Sequence, residues 1–192
     1  VTDELFEQNI VRIQQGEKEG LKQIYEAYIA FIYSVVYDIL KNKEGAEDVA
    51  SEFFIKLWKI ADQYKFGGKH KAYLATIAHN MAIDYIRKNR REQVVEEIQD
   101  MADAGGSATT TLFTKPESVE DSVVSSITMK EAISTLKEKE QQVLNMKIFG
   151  ELTFQEIADI LQTPMGTVTW RYQTAIGKLR KTLHNTREEV WQ

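Results

Sequence analysis

The 192-residue chain is 43% hydrophobic and 10% aromatic, with a formal net charge of −5, enough length and apolar content to bury one or two cores. It has no cysteine, which excludes a disulfide scaffold and any thiolate zinc site and suits the cytoplasm. No apolar run approaches the ~20 residues that span a bilayer. The stretch "VTDELFEQNIVRIQQGEKEG" lacks the basic start and apolar core of a signal peptide, so no stable membrane insertion is expected.

Long 3.6-residue apolar periods, only two prolines and no strand-like alternation predict an all-α fold. Charge divides the chain into three. Residues 1–91 hold 14 basic and 13 acidic residues, residues 92–122 hold one and eight, and residues 123–192 hold nine and eight. The expected architecture is two small helical domains, 1–91 and 123–192, joined by a flexible acidic linker over 92–122. Charge is also polarised within each domain: 63–91 carries seven Lys and Arg against Asp84 alone, and 163–187 carries five and no acid. Two tethered cationic patches suit one long anionic partner touched at two places.

In chain order, "GAEDVASEFFIKLWKIADQY" comes first as a helix. At 100° per residue Ala46, Val49, Phe53, Leu57 and Ile60 form an apolar stripe. Phe54 and Trp58 widen it beyond one buried face, and since wide aromatic stripes are usually core, Phe54 reads as core. Ile55 stands apart among Asp48, Glu52 and Lys59 and reads as part of a protein-binding face. "KFGGKHKAYLATIAHNMAIDYIRKNRRE" follows, a Gly-containing basic loop and a basic helix. Tyr73, Leu74, Ile77, Ala78, Met81 and Tyr85 share the core arc; Thr76, His79, Asn80, Arg87 and Arg90 share the opposite one. Asp84 is expected to pair with Arg87 or Lys88 one turn on. Cations at Lys69, Lys71, Lys88 and Arg91 beside the rings of Tyr64, Phe66 and His70 suit single-stranded nucleic acid, phosphates on the charges and unstacked bases on the rings.

The middle segment, "EQVVEEIQDMADAGGSATTTLFTKPESVED", is rich in Gly, Ser, Thr and acid without a period. It reads as a solvated tether, or as an acidic mimic of nucleic acid for a partner's basic channel. Beyond it, "LTFQEIADIL" opens with Thr153 and Glu156 in capping-box spacing and Leu152 and Ile157 as a hydrophobic staple. "QTPMG" breaks the helix, and Thr163 with Pro164 is a fresh start signal. The next helix runs to about Leu183, with Val168, Tyr172, Ile176 and Leu179 at core spacing. Ala158 lets the two helices approach, and Val168 fills the angle between them, as in a helix-turn-helix. Thr167, Thr169, Trp170, Arg171, Gln173 and Thr174 near the second helix's start suit base edges, and Lys178, Arg180 and Lys181 suit phosphates. Arg171 fits a base, a phosphate or an acid within the domain equally.

Taken together, "AEDVASEFFIKLWK", "AYLATIAHNMAIDYIRKNRR" and "LTFQEIADILQTPMGTVTWRYQTAIGKLRKTL" resemble a bacterial sigma factor of the extracytoplasmic-function (ECF) subgroup of the sigma-70 family. The resemblance implies a transcription initiation factor with no cofactor and no catalytic residue. Asp48, Glu52, Phe53, Ile55, Lys56 and Trp58 would dock on the clamp of core RNA polymerase. The 63–91 segment would recognise and melt the −10 element of promoter DNA, the 164–182 helix would read the −35 element, and an anti-sigma factor would hold the protein inactive. Four positions depart from the family pattern: Ser51 where Gln is usual, Tyr73 where Trp is usual, and Thr169 and Thr174 where further arginines are usual. The last two leave the −35 sequence open and predict a smaller electrostatic share of binding.

Other classes fit less well. A receiver-linked regulator needs strands that 1–91 does not show. A helical adaptor would not need an acid-free second helix. A metalloenzyme needs clustered ligands, yet Ala75, Thr76, Ala82 and Ile83 occupy the positions three and four residues from His79, so no metal is expected. No Walker-type loop or nucleophile motif appears.

Overall fold

A computed structural model of the protein describes residues 2–96 and 132–189, with side chains up to Arg90 and from Ala132 to Leu183. The described residues are helical and carry no strand. Four helices come first: α1 (Asp3–Gln14), α2 (Lys18–Leu40), α3 (Lys43–Ile60) and α4 (His70–Glu96), with a 3-10 turn at Ala61–Gln63 leading into the loop before α4. After a helical turn at 132–134 follow α5 (Glu138–Ile148), α6 (Phe154–Leu161) and α7 (Met165–Glu189).

The starts and crossings follow local chemistry. Thr2 caps α1 by accepting the Leu5 N–H at 3.3 Å, and Asn42 caps α3 by accepting the Gly45 N–H at 3.0 Å. Helix α1 crosses α2 so closely at Gly20 that a Cβ there would sit 2.5 Å from the Asn9 carbonyl oxygen. Long, apolar α2 is the central post: α1, α3 and α4 all pack on it. Phe6, Ile10, Ile24, Ile32, Val35, Val36, Phe53, Leu57 and Leu74 fill the interior. Each such side chain contributes roughly 1.5–3 kcal/mol by leaving water.

The basic helix is longer than the sequence suggests. It continues through Glu96, so the first five residues assigned to the linker extend α4. Charge composition places a boundary at 92, but Gln93, Val94, Val95 and Glu96 offer nothing that breaks a helix. The remainder of the proposed linker, 97–122, lies outside the described residues.

The second helical group closes on the first. Val143, Met146, Leu152, Ile157, Ala158, Ile160 and Val168 belong to the same apolar cluster as the core of α1–α4, while Leu136, Leu144 and Ala175 form a small separate one. Helix α5 lies on α2 and α6 lies on α4. Gly150, after α5, meets the Phe31 ring of α2, where an added Cβ would come within 2.9 Å of it. Beside this contact Asp38 accepts from Lys41 at 3.3 Å and from the Asn145 amide, and Lys41 also donates to the Gln141 amide oxygen at 3.1 Å. Burial pushes the Asp38 carboxyl above the usual range, with Lys41 and Asn145 opposing that shift.

Candidate nucleic-acid interface

The corner between α6 and α7 is built as its residues require. Thr153 Oγ1 accepts the Glu156 N–H at 3.2 Å while Glu156 Oε2 accepts the Thr153 N–H at 2.8 Å, a complete capping box. Leu152 and Ile157 are buried beside it. Helix α6 ends with Gln162 in the left-handed region (φ 49), and the Ala158 carbonyl takes the Gln162 and Thr163 N–H groups. Ala158 and Val168 are buried in the angle. Thr163 differs from expectation: its hydroxyl donates to the Leu161 carbonyl at 3.0 Å, so it closes α6 rather than capping α7. The Pro164 carbonyl instead accepts the first N–H groups of α7, from Thr167 at 2.9 Å and Val168 at 3.2 Å.

Of the residues assigned to base reading, Trp170 is 62% exposed and Gln173 is exposed. Thr167, Thr169, Arg171 and Thr174 are half-buried, Thr169 donating to the Met165 carbonyl at 3.0 Å. Lys181 and Arg180 are exposed. Lys178 is a correction. Its ammonium lies 2.7 and 3.0 Å from the two oxygens of Glu140, a carboxylate only 3% exposed. That cation is committed to neutralising a buried acid and is not free to hold a phosphate. Exposed Met165 at the start of α7 was not legible from the pattern, because an apolar residue beside Pro164 reads as core.

The loop before α4 is a second concentration of donors. Gly67, Gly68 and Lys69 have positive φ of 119°, 93° and 68°. This turns the Gly67 and Gly68 N–H groups toward Glu7, whose Oε1 accepts them at 2.7 and 3.2 Å. Lys69 lies 3.6 Å from Glu156, and Lys71 pairs with Glu151. Between this loop, the start of α4 and helix α6 runs a cleft of about 470 Å³, walled by Lys65, Lys69, Tyr64 and Tyr73 on one side and by Glu156 and Asp159 on the other. The hydroxyls of Tyr64 and Tyr73 are themselves buried and have no hydrogen-bond partner. Burial pushes the Tyr64 phenol up to about 12, so it stays protonated. Lys65 belongs with this set; its place between Tyr64 and Phe66 in a cationic run is the signal that marks it.

His70 is a further correction. It is 3% exposed, stacked on Phe6 at 4.7 Å, with Tyr28 Oη 2.5 Å from Nε2 and the Asp3 carboxylate on Nδ1. The neutral tautomer satisfies both contacts: Nδ1–H donates to Asp3, and Nε2 accepts from Tyr28. Burial holds the imidazole below its ordinary value against the opposing pull of Asp3. Its faces are covered, so it offers no platform for a base. The helix start that makes His70 look exposed is the point where α1 folds over it.

Along α4, Thr76, Asn80, Arg87, Lys88 and Arg90 are exposed and His79 is half-buried. Thr76 donates to the Ala72 carbonyl. Arg87 pairs with Asp84 at 3.2 Å, as the spacing suggests, with both side chains mostly in solvent. Arg91 lies outside the described side chains. Phe66 is exposed beside Tyr64, their rings edge-on at 5.4 Å.

On α3, Asp48, Glu52 and Lys56 are exposed, Ile55 is 57% exposed and Trp58 is half-buried. Phe53 is fully buried and cannot meet a partner, a correction that follows from its place at the centre of the apolar stripe. Phe54 is core as well, edge-on to Tyr25 of α2 at 4.8 Å. Tyr25 is itself exposed; it extends the apolar surface from a second helix, which no period within α3 could reveal. Among the described residues no group of three His, Cys, Asp or Glu is placed to hold a metal, and no helix is long and apolar enough to cross a membrane.

Fold and surface thus define an all-α DNA-binding protein, with a helix-turn-helix whose first helix packs beside a cationic, aromatic-lined loop. The family models for Sigma-70 region 2 and Sigma-70, region 4 match residues 24–92 and 132–181, together more than half of the chain. The chain belongs to the sigma-70 family, in its ECF subgroup, and is a transcription initiation factor. It is 29% identical over 188 residues to the ECF RNA polymerase sigma factor SigW of Bacillus subtilis, covering 94% of this chain and 98% of the relative. It is 26% identical over 172 residues to the B. subtilis RNA polymerase sigma factor YlaC, covering 90% and 96%. Its fold is similar to that of the sigma factor RpoE in complex with the anti-sigma factor NepR from Bartonella quintana (TM-score 0.60, 19% identity, 85% of this chain and 96% of that one). It is also similar to CnrH in complex with the cytosolic domain of CnrY (TM-score 0.56, 15% identity, 94% and 98%).

Proposed function

We propose that this chain binds core RNA polymerase and directs it to promoters by reading a −35 element with α7 and by melting and holding a −10 element with the 64–69 loop and α4. The functional units are an N-terminal domain ending with α4, an acidic linker and a C-terminal domain over 123–192. The observation that carries the reading is the pairing of two unlike surfaces. Helix α7 leads with exposed Trp170 and Gln173 and has no acid before its last turn, as duplex reading requires. The loop region offers Lys65 and Lys69 and the rings of Tyr64 and Tyr73 in the cleft, with exposed Phe66 beside it, as unstacked bases require.

On α3, Asp48, Glu52, Ile55, Lys56 and Trp58, joined by Tyr25 of α2, form the surface for the polymerase clamp. The partner that holds the factor inactive is an anti-sigma factor, the kind of partner named in the RpoE–NepR complex. Reconstitution with core polymerase on a genomic library, with mapping of transcript 5′ ends, tests the function. Start sites sharing two spaced elements are expected. Random start sites, or none above core polymerase alone, would reject it.

A further inference from the structure

Helix α1 lies outside the Sigma-70 region 2 match, which begins at residue 24, yet it grips the loop before α4 along its whole length. Asp3, Phe6, Glu7 and Gln14 share about 100° of its circumference at 3.6 residues per turn. Gln14 Nε2 donates to the Ala61 carbonyl at 2.9 Å, at the turn where the chain leaves α3. Phe6 sits edge-on to Tyr64 at 5.4 Å and stacks on His70 at 4.7 Å. Asp3 accepts from His70 where α4 begins. Between these ends Glu7 Oε1 accepts both the Gly67 and the Gly68 N–H groups, at 2.7 and 3.2 Å.

The stretch that Glu7 holds is the one least able to hold itself. Gly67, Gly68 and Lys69 run through three successive positive φ angles. Glycine enters that region freely but is not confined to it, and Lys69 enters it only at a steric cost. An added Cβ at Gly67 would meet nothing within 4 Å, and one at Gly68 only the Asp3 carboxylate at 3.9 Å, so packing does not set this turn. The turn lies between exposed Phe66 and the start of α4 and includes Lys69. One carboxylate oxygen on a rigid helix, taking two successive N–H groups, selects a single shape from the many that two glycines permit.

We infer that Glu7 is a positioning residue for −10 recognition and α1 the splint of the single-strand loop: the carboxylate fixes the Gly67–Gly68 turn and so sets where Phe66 and Lys69 meet an unpaired strand. The inference rests on the proposed single-strand role of that loop and adds what pre-organises it. Glu7 acts through the loop. Charge alone predicts the opposite sign, because an acid beside a cationic loop repels phosphates and its removal strengthens attraction to DNA evenly across sequences. Loss of the acceptor leaves the phosphate attraction in place but populates loop shapes that do not fit a base. Binding of a favoured base then falls with the competent fraction while the background stays.

The test uses holoenzyme reconstituted from the full chain and core RNA polymerase, transcribing libraries built on a mapped start site with either the −10 or the −35 positions randomised. Glu7→Ala should lower the preference for favoured −10 bases about three- to tenfold and leave the −35 preference unchanged. Glu7→Gln lacks the charge but keeps an oxygen that accepts both N–H groups, and should restore the −10 preference to within about twofold. Glu4→Ala removes the same charge from an exposed position outside that arc of α1 and should leave both preferences as in the wild type. A merely destabilised fold would lower total transcript without acting on one element alone. Equal −10 preference in wild type and Glu7→Ala, a matching loss at −35, no rescue by Glu7→Gln, or an equal loss in Glu4→Ala each overturns the positioning role while leaving the loop's single-strand role intact. A wild type without −10 preference removes that role and this inference with it.

Discussion

His70 shows how one residue can look functional in sequence and be structural in the fold. An imidazole in a cationic, aromatic run suits nucleic acid, yet here it is a buried post between Asp3 and Tyr28. Its folded-state value lies below the ordinary one. The unfolded chain therefore takes the proton more readily, and stability falls as pH drops from about 6.5 toward the folded value. Urea unfolding between neutral and mildly acidic pH should show that loss, and His70→Gln should flatten it. Asp3 acts in a lower window: its carboxyl is held down by the bond to His70, so its contribution is lost as pH falls through that lowered value. Lys178 carries the second residue-scale prediction. Removing it strands Glu140 as a buried charge, which typically costs about 3–5 kcal/mol when both partners are buried and less here, where Lys178 is about a third exposed. Thermal unfolding should drop sharply for Lys178→Ala and barely for Lys181→Ala. Equal shifts would show that the Glu140 contact carries little.

At the scale of elements, α7 and α3 present their exposed residues differently. Gln173 stands clear on α7, and a Gln side chain can pair bidentately with adenine. Gln173→Ala should relax preference at one −35 position by about 1–3 kcal/mol, read by transcription from a randomised −35 library. An unchanged preference would move base reading to Trp170, Arg171 or Thr169. On α3, Ile55 is exposed without an apolar neighbour of its own stripe, and Trp58 is half-buried at the edge. Ile55→Asp with Trp58→Ala should weaken polymerase binding by about 2 kcal/mol or more with helical content retained. Pull-down with the folded variant measures it, and unchanged affinity would exclude this face.

The whole molecule depends on a contact that neither helical group makes alone. Gly150 leaves room for Phe31, and a Cβ there would also lie 2.6 Å from the Met146 carbonyl oxygen. Gly150→Val should overpack the seam by about 1–3 kcal/mol. The two groups should separate while each keeps its helices, seen as a larger radius in small-angle scattering with unchanged circular dichroism. An unchanged radius would mean that the shared cluster absorbs the added side chain.

The sequence by itself determined the all-α class, the helices α3, α4, α6 and α7, the capping box at Thr153 and Glu156, the buried pair Ala158 and Val168, the Asp84–Arg87 pair and the family. The local features depend on residues within about ten positions of one another, so spacing carries the information, and the family rests on three such segments in order. Only the tertiary structure decided that Phe53 and His70 are covered, that Lys178 is tied to Glu140, that Tyr25 joins the face on α3, and that Glu151 and Glu156 reach Lys71 and Lys69. Those facts depend on which distant helix arrives at a given face. A periodicity shows which side of a helix is apolar and leaves open what covers it. The partners of His70 lie 42 and 67 residues away along the chain, and that of Lys178 lies 38 away. No local pattern encodes such separations, because they are fixed by how α1, α5 and α6 pack on the rest once the apolar stripes have found one another.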